Sequence, residues 1–275
     1  MALVIQTNVA SLQAQKNLSS AQSALGVSFN RLSSGNRINS AKDDAAGLAI
    51  SESMKNQVRS FTVAERNAND ASSMAQTAEG ALGEVGNILG RMREIAVQGS
   101  NGALQTSDRA FLQTEFGQMQ KEVTRITSST KFNGTTLLAS ASSSVAFQVG
   151  INNTAADRIS VSFGGIQLAS MTATTAKVSG TATNSQTALG TIDSALAKVS
   201  TARARFGAAM NRFDITTSNI QTARLNVSAA ASRIKDVDVA EETASLSKSQ
   251  VLTQAATSVL SQANSSPQAA LMLIR

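Results

Sequence analysis

The sequence predicts a mainly α protein: a long antiparallel helical rod or coiled-coil bundle with a small β-hairpin, whose terminal helices pair as a coiled coil on assembly. Three observations predict it. The 275 residues include a single proline, Pro267, so little in the chain interrupts a helix. Aromatic residues make up only 3%, with no Trp and no Tyr, which favours thin helices packed through small side chains. Three long stretches also repeat apolar residues at steps of three and four.

The first two of these stretches lie in the N-terminal half. Between Glu52 and Gln98 the apolar positions follow one stripe: Met54, Val58, Phe61, Ala68, Ala75, Leu82, Val85, Leu89, Met92 and Ala96. GSNG at 99–102 ends this helix. The next stripe consists of Leu112, Phe116, Met119, Val123 and Ile126. We therefore expect two consecutive amphipathic helices.

The third stretch keeps its spacing for about five heptads, which is typical of coiled-coil packing. A simple antiparallel helical bundle is the alternative. The positions of this stripe are Leu189, Ile192, Leu196, Val199, Phe206, Met210, Phe213, Ile220 and Val227.

Between the second and third helices the apolar period changes to two, which predicts a β-hairpin near 145–163. Its alternating residues are Val145, Phe147, Val149, Ile159, Val161 and Phe163. KFNG at 131–134 predicts a turn before it. Residues 170–187 are rich in Thr, Ser and Ala and suggest a loose surface linker.

Each end of the chain carries one thin amphipathic helix. Such a helix is marginal alone in water, so each should be ordered only by pairing with the other end or with copies of the chain. We expect three regions: 1–42, a central rod 43–235, and 236–275. The candidate assembly residues are Ile5, Val9, Leu12, Leu18, Leu25, Leu32, Leu252, Val259 and Leu260.

Two polar joints connect the ends to the rod, at 31–51 and 231–242. Both joints contain charges of both signs, which predicts ion pairs within or between subunits; an unpaired, solvated linker is the alternative. Asp43 and Asp44 also suit the positive N-terminus of a helix. The candidate pairing residues are Arg31, Arg37, Asp43, Asp44, Arg233, Asp236 and Asp238.

Composition argues against several classes of function. The net charge is +6, but residues 43–242 are neutral and the excess lies on the two apolar-patterned ends, unlike a nucleic-acid footprint. His and Cys are absent, which excludes common zinc sites, thiol catalysis and a Ser-His-Asp triad. The glycines of 80–90 form no phosphate loop and suggest close helix approach. We expect no enzyme, cofactor, metal, nucleic acid or membrane insertion, and no cleaved secretory signal.

Several blocks resemble bacterial flagellin. NVASLQAQKNL at 8–18, RLSSGNRINSAKDDAAGLAIS at 31–51 and GRMREIAVQ at 90–98 are similar to its N-terminal half. FGAAMNRFDITTSNI at 206–220, SRIKDVDVAEETASLSKSQVL at 232–252 and QAATSVLSQANSSPQAALMLIR at 254–275 are similar to its C-terminal half. The chain is identified as resembling a short flagellin with core domains and without large outer domains.

This resemblance implies a structural subunit of an extracellular helical homopolymer used for motility. It implies type III export without a cleaved signal, assembly under a filament cap, and terminal helices lining an inner tube. A hook–filament junction protein is the alternative, and a basic helical nucleic-acid binder is the alternative from another class.

The resemblance also implies three further contacts. The hairpin residues Val145, Phe147, Ile159 and Phe163 would lie between subunits of a protofilament. An export chaperone would bind the amphipathic face of Leu246, Val251, Leu252, Ala255, Val259 and Leu260. The host flagellin-sensing Toll-like receptor would contact Arg91, Ile95 and Glu115, with Arg91 and Ile95 expected on an exposed flank of the helix.

Overall fold

The protein is mainly helical, as the sequence predicts. The computed structural model describes residues 7–138, 143–164 and 176–272. No helix in these ranges is both long enough and apolar enough to cross a membrane. The elements are, in order, α1 (Val9–Ser34), α2 (Ala45–Gly99), α3 (Thr106–Ser129), β1 (Lys131–Phe132), β2 (Thr135–Thr136), β3 (Ser143–Gln148), β4 (Arg158–Phe163), α4 (Ala182–Lys235) and α5 (Val239–Met272).

The chain divides into two compact units. The terminal unit consists of Met1–Val58 and Leu225–Arg275, and the central unit is Arg59–Arg224. These limits fall inside the continuous helices α2 and α4. The borders that the sequence predicts, after residues 42 and 235, lie instead at the breaks between helices. That these borders separate regions with different roles in assembly stays a prediction.

The core of the central unit is centred on a heptad repeat on both long helices. Buried positions of α2 are Ala68, Ala71, Ala75, Ala78, Leu82, Val85, Leu89, Met92 and Ala96. Those of α4 are Ala188, Ile192, Ala195, Val199, Ala202, Phe206, Ala209 and Phe213. On α4 alanine alternates with a larger residue along this stripe, whereas on α2 four alanines precede four larger residues. Three ion pairs show that the helices run antiparallel: Arg93 with Asp193, Arg203 with Glu79, and Arg224 with Glu65.

The predicted β-hairpin is present and covers part of this core. Strands β3 and β4 are antiparallel, with Val145 opposite Val161 and Phe147 opposite Ile159. A 3₁₀ turn, Ala155–Asp157, precedes β4. The ring of Phe147 meets that of Phe213 edge-on, with the centroids 5.7 Å apart. The hairpin is therefore held by the aromatic side chains of the central unit itself.

The sequence predicts a turn after α3 and a loose linker before α4, and only the turn is confirmed. The KFNG turn is confirmed, because β1 and β2 are joined through Asn133 and Gly134, which have φ values of 45° and 80°. The loose linker is wrong for its described part: Ala176 and Val178 are buried, and α4 begins at Ala182. A run of small residues can thus pack as tightly as a core. Residues 170–175 lie outside the described part of the chain.

The glycines of 80–90 do not serve close helix approach. A Cβ added at Gly80, Gly83 or Gly90 would meet no atom within 4 Å, and one added at Gly86 would make an ordinary contact with Val199 at 3.9 Å. The expectation of close packing is therefore wrong. Each glycine costs a helix about 1 kcal/mol relative to alanine, so these residues locally weaken α2 instead.

A buried arginine, which sequence patterns did not single out, secures the end of α2. Arg109 is only 7% exposed. Its Nε donates to the Gly99 carbonyl and its Nη2 to the Asn101 carbonyl, both at 2.9 Å, and its Nη1 donates to the Gly180 carbonyl at 3.3 Å. Carbonyls at a helix C-terminus lack intrahelical donors and attract a cation. Arg109 thereby joins the α2–α3 connection to the segment before α4.

Candidate assembly surface

The terminal unit is built on an antiparallel pair formed by α1 and α5. At one end Asn8 Nδ2 donates to the Ala263 carbonyl at 2.8 Å, and the Ser11 hydroxyl donates to Asn264 Oδ1 at 2.7 Å. At the other end the Val237 N–H donates to the Gly35 carbonyl at 3.1 Å. The two ends of the chain therefore pair with each other in a single copy.

The seam between the two helices is only partly buried. On α1 the residues turned to the seam are Ser11, Ala14, Leu18, Ala21, Leu25, Ser28 and Leu32. On α5 they are Glu242, Leu246, Ser249, Thr253, Ala256, Leu260 and Ala263. The leucines are half-buried, because a two-helix pair leaves one side of every seam residue open. Such a pair has little core of its own.

A second set of apolar residues points away from this seam and is exposed. Val9 is 67% exposed, Leu12 58% and Val251 65%. The other exposed members are Val27, Phe29, Val239, Leu252 and Val259. Monomeric proteins rarely expose so many large aliphatics along one helix pair, so these faces indicate an interaction surface.

The candidate assembly residues do not lie on one face of each terminal helix, so the expectation of one simple amphipathic helix at each end is wrong. Leu18, Leu25, Leu32 and Leu260 face the seam, whereas Val9, Leu12, Leu252 and Val259 face outward. The seam follows a 3.5-residue repeat, and the outward residues fall on other positions of the heptad. Ile5 lies outside the described residues.

The two polar joints meet through their backbones. Asn36 and Asp236 form an antiparallel bridge, and the Arg37 N–H donates to the Lys235 carbonyl at 2.6 Å. The Arg37 side chain also donates from Nη2 to the Ile234 carbonyl at 2.7 Å. Gly35 adopts φ 70°, which lets α1 end there. The joints thus form one small structure, with little need for side-chain ion pairs.

Within one chain, no ion pair joins any two of the seven candidate joint residues, so the prediction of such pairs within a subunit is wrong for them. Pairing of these residues between subunits stays a prediction. Asp43 accepts from the N–H groups of Asn39 and Ser40, and Asp44 accepts from the Gly47 N–H at 2.8 Å. Asp238 accepts from the Ala240 N–H at 2.9 Å. Short carboxylates next to a helix start satisfy free backbone N–H groups, those of the joint for Asp43 and those of the following helix for Asp44 and Asp238.

Two other ion pairs are present at the joints. Arg31 pairs with Glu242 at 3.5 Å, and Lys235 pairs with Glu52 at 3.4 Å. Neither carboxylate was predicted, because Glu242 lies on the seam of α5 and Glu52 lies inside α2. Both contacts join segments of the chain about two hundred residues apart in sequence.

Acid should loosen the Asp43 turn. Hydrogen bonds from the Ser40 N–H, the Ser40 hydroxyl and the Asn39 N–H lower the pKa of Asp43. A lowered pKa stabilises the turn above the unfolded carboxyl pKa, and this stabilisation is lost as pH falls through the folded pKa. We expect the Ser40 amide resonance to titrate in the acid range in NMR spectra. Asp43→Asn should abolish that titration and Asp70→Asn should not; an unchanged titration in Asp43→Asn contradicts the assignment.

The hairpin residues face inward rather than outward. Ile159 and Phe163 are 5% and 1% exposed in the chain's own core. Phe163 stacks on Phe206, with ring centroids 5.4 Å apart. The expectation that Ile159 and Phe163 contact another subunit is therefore wrong, since the rod already covers them. For the half-buried Val145 and Phe147 it stays a prediction.

The three residues predicted for the host receptor do not share one exposed surface. Arg91 Nη2 lies 3.0 Å from Glu115 Oε1, and both side chains are about half exposed. Arg91 also pairs with Glu94 at 2.7 Å, and these partners raise its pKa. Ile95, in contrast, is 1% exposed. Its expected exposed position is wrong, because the buried face of α2 is wider than one heptad stripe here.

Comparison with known proteins identifies the family. Residues 5–143 match the bacterial flagellin N-terminal helical region, and residues 189–274 match the bacterial flagellin C-terminal helical region. A flagellin of Halalkalibacterium halodurans is 42% identical over 99% of this chain and 100% of its own length. The B-type flagellin of Pseudomonas aeruginosa is 51% identical over 55% of this chain, and the matched part spans only 31% of that longer relative.

Solved structures agree with this fold. Bacillus cereus flagellin aligns with a TM-score of 0.50 and 30% identity, covering 60% of this chain and 94% of its own. A putative flagellar hook-associated protein from Vibrio parahaemolyticus aligns with a TM-score of 0.60 over 70% of this chain and 100% of its own. At 15% identity the second match shows the fold alone.

The sequence prediction of a structural filament protein is confirmed by these matches, and none of them favours the hook–filament junction alternative. The full-length match to the Halalkalibacterium protein and the two matched regions together cover both ends of the chain. The chain belongs to the bacterial flagellin family.

Proposed function

We propose that the chain is the structural subunit of an extracellular flagellar filament and polymerises with copies of itself for motility. The exposed apolar faces of α1 and α5 carry this proposal. Fully burying one large aliphatic side chain contributes about 1.5–3 kcal/mol, so the eight exposed residues of the pair favour association with other copies. The terminal regions 1–42 and 236–275 would then form the inner tube and its connection to the rod.

Other features of the chain are consistent with this role. The chain has no cysteine, so no disulfide has to break before export in an unfolded state. The flagellin family is one of structural proteins, and filament formation requires no catalytic group. We propose that a cap protein at the growing tip and junction proteins at the filament base contact the same outward faces.

Seeded polymerisation tests the function. Purified monomer added to short fragments of its own filaments is expected to extend them into long filaments visible by electron microscopy. Short assemblies that do not grow would instead support the junction protein. DNA binding that weakens with salt, without filaments, would support the nucleic-acid binder and contradict the proposal.

An export chaperone is the first specific partner that we propose. Val251, Leu252, Ala255 and Val259 form an exposed face of α5, whereas Leu246 and Leu260 face α1. A groove-forming partner can take such a helix without opening the pair completely. Leu252→Asp with Val259→Asp is expected to abolish chaperone capture in a pull-down assay. Ser258→Asp, on the same helix, is the control, and undiminished capture of the double variant would place the site elsewhere.

The host flagellin-sensing Toll-like receptor is the second proposed partner. The Arg91–Glu115 pair remains accessible, while Ile95 supports the helix from inside. In a reporter-cell titration of monomer, we expect Arg91→Ala and Glu115→Ala to lower potency, because exposed arginines often anchor interfaces. Arg125→Ala on α3 is the control. Equal potency of all variants would remove the pair from the receptor site.

A further inference from the structure

The most exposed large hydrophobic side chain of the described residues lies on α3. Phe111 is 77% exposed. Asp108 and Glu115 lie three residues before and four residues after it, so all three share one face of the helix. Glu115 is joined to Arg91, which also binds Glu94. These residues form an acidic ridge with an aromatic centre, and its carboxylates outnumber its one arginine.

A cleft of opposite character lies beside the hairpin. It has a volume of about 420 Å³. Its apolar wall includes the buried residues Val149 and Ile159 and the 63% exposed Ile215. Arg158 and Arg212 line the same cleft. The cleft therefore combines an apolar surface with two arginine side chains.

The arginines of this cleft outnumber its carboxylate. Arg158 donates from Nε to Gln148 Oε1 at 3.1 Å and also binds Asn153 Oδ1, and both acceptors are neutral. Among the described residues, no carboxylate forms an ion pair with Arg158 or Arg212. Asp157 also lines the cleft, but its carboxylate accepts the Thr154 hydroxyl. Two cations thus face the cleft with one carboxylate.

The ridge and the cleft of one copy lie too far apart to meet. Arg91 of α2 binds Glu115 of the ridge, and Arg93, two residues further along α2, binds Asp193 of α4. The ridge therefore lies at the same height along the helices as Asp193. The cleft lies beside Arg212 on the same helix. Nineteen residues of α-helix separate these two positions, which corresponds to about 28 Å. Any contact between the ridge and the cleft therefore needs a second copy of the chain.

We propose that Phe111 of one copy inserts into the hairpin cleft of another, with the acidic ridge facing Arg158 and Arg212. The partner is a second copy because its ridge supplies an aromatic ring for the apolar wall and carboxylates for the two arginines. Two different surfaces in contact form a heterologous interface, the type that can repeat into an open helical polymer. The proposal rests on the filament function and assigns one of its contacts.

Cross-linking between single-cysteine variants tests this contact, because the natural chain has no cysteine. Phe111→Cys and Ile215→Cys chains are mixed, polymerised on seeds and treated with a short bismaleimide. We expect a cross-linked dimer in filaments and none in monomers. Phe111→Cys mixed with Ala197→Cys, an exposed position of α4, should give none. Filaments that form without the 111–215 product would overturn the contact and leave the filament function intact.

A charge reversal gives an independent measurement that does not depend on cysteine placement. Arg212→Glu is expected to slow filament elongation at least about tenfold, because like charges would then face each other across the contact. Arg205→Glu, which changes an exposed arginine two turns away, should slow it less than about twofold. Equal effects of the two variants would overturn the contact. Failure of the unchanged chain to polymerise would instead reject the filament function.

Discussion

Removing residues 244–275 is expected to abolish polymerisation completely while the central unit stays folded. The deletion takes away nearly all of α5, so α1 loses its partner and the exposed residues Val251, Leu252 and Val259 are removed. The core of the central unit lies between Ala68 and Phe213 and contains no residue of α5. Sedimentation should find the truncated chain entirely in the supernatant after seeding.

The truncated chain also needs a test of its folding. Circular dichroism should show that it keeps cooperative thermal unfolding, and its helix content should fall because α1 is marginal alone. Removal of residues 1–32 should give the same result. Long filaments from either truncated chain would contradict the role assigned to the α1–α5 pair.

Phe206→Ala is expected to lower the free energy of unfolding of the central unit by about 3–5 kcal/mol. Phe206 is 2% exposed, and its ring stacks on Phe163 of the hairpin. The substitution leaves a cavity at the point where the hairpin is joined to α4. Chemical denaturation of the monomer, followed by circular dichroism, measures the change.

Phe111→Ala provides a matched control, because it removes the same side chain from an exposed position. A surface substitution of this kind is expected to change stability by about 0.5 kcal/mol or less. Comparable losses in the two variants would contradict the described core. Polymerisation should instead be impaired more by Phe111→Ala than by Phe206→Ala, although the Phe111→Ala monomer is stable.

Much of the central unit can be predicted from sequence because its signals are local. The repeat of three and four along α2 and α4 specifies which residues are buried, and Ile192, Val199 and Phe213 lie where that repeat puts them. The hairpin follows from strict alternation and is equally local. Long helices without proline leave few alternative folds for such patterns.

The positions that sequence reasoning missed depend on distant partners. Ile95 lies off the main stripe of α2 but is buried, since more than one element covers that helix. Arg109 is an ordinary charge in sequence and becomes a buried donor only because Gly99 and Gly180 bring their carbonyls to it. The spacing of apolar residues along the sequence does not predict such contacts between distant segments.

The candidate assembly surface shows the same limit. Sequence patterns identify α1 and α5 as amphipathic. They do not show which apolar residues of each helix face the other helix and which face outward, because that depends on where the partner helix packs. The structure separates Leu18, which faces the seam, from Val9 and Leu12, which do not. At the joints, Asp43 accepts from the Ser40 N–H within the turn and Asp238 accepts from the Ala240 N–H at the start of α5, because these donors lie only two or three residues away along the chain.

Filament formation by this chain requires that the outward faces of α1 and α5 become buried between copies. A single cysteine at Val251, 65% exposed in the monomer, measures this directly, because a maleimide dye can react nowhere else in a cysteine-free chain. Labelling is expected to be fast in monomers and strongly suppressed in filaments, while a cysteine at the exposed Ala197 stays reactive in both. Equal labelling at Val251→Cys in monomers and filaments would contradict the claim.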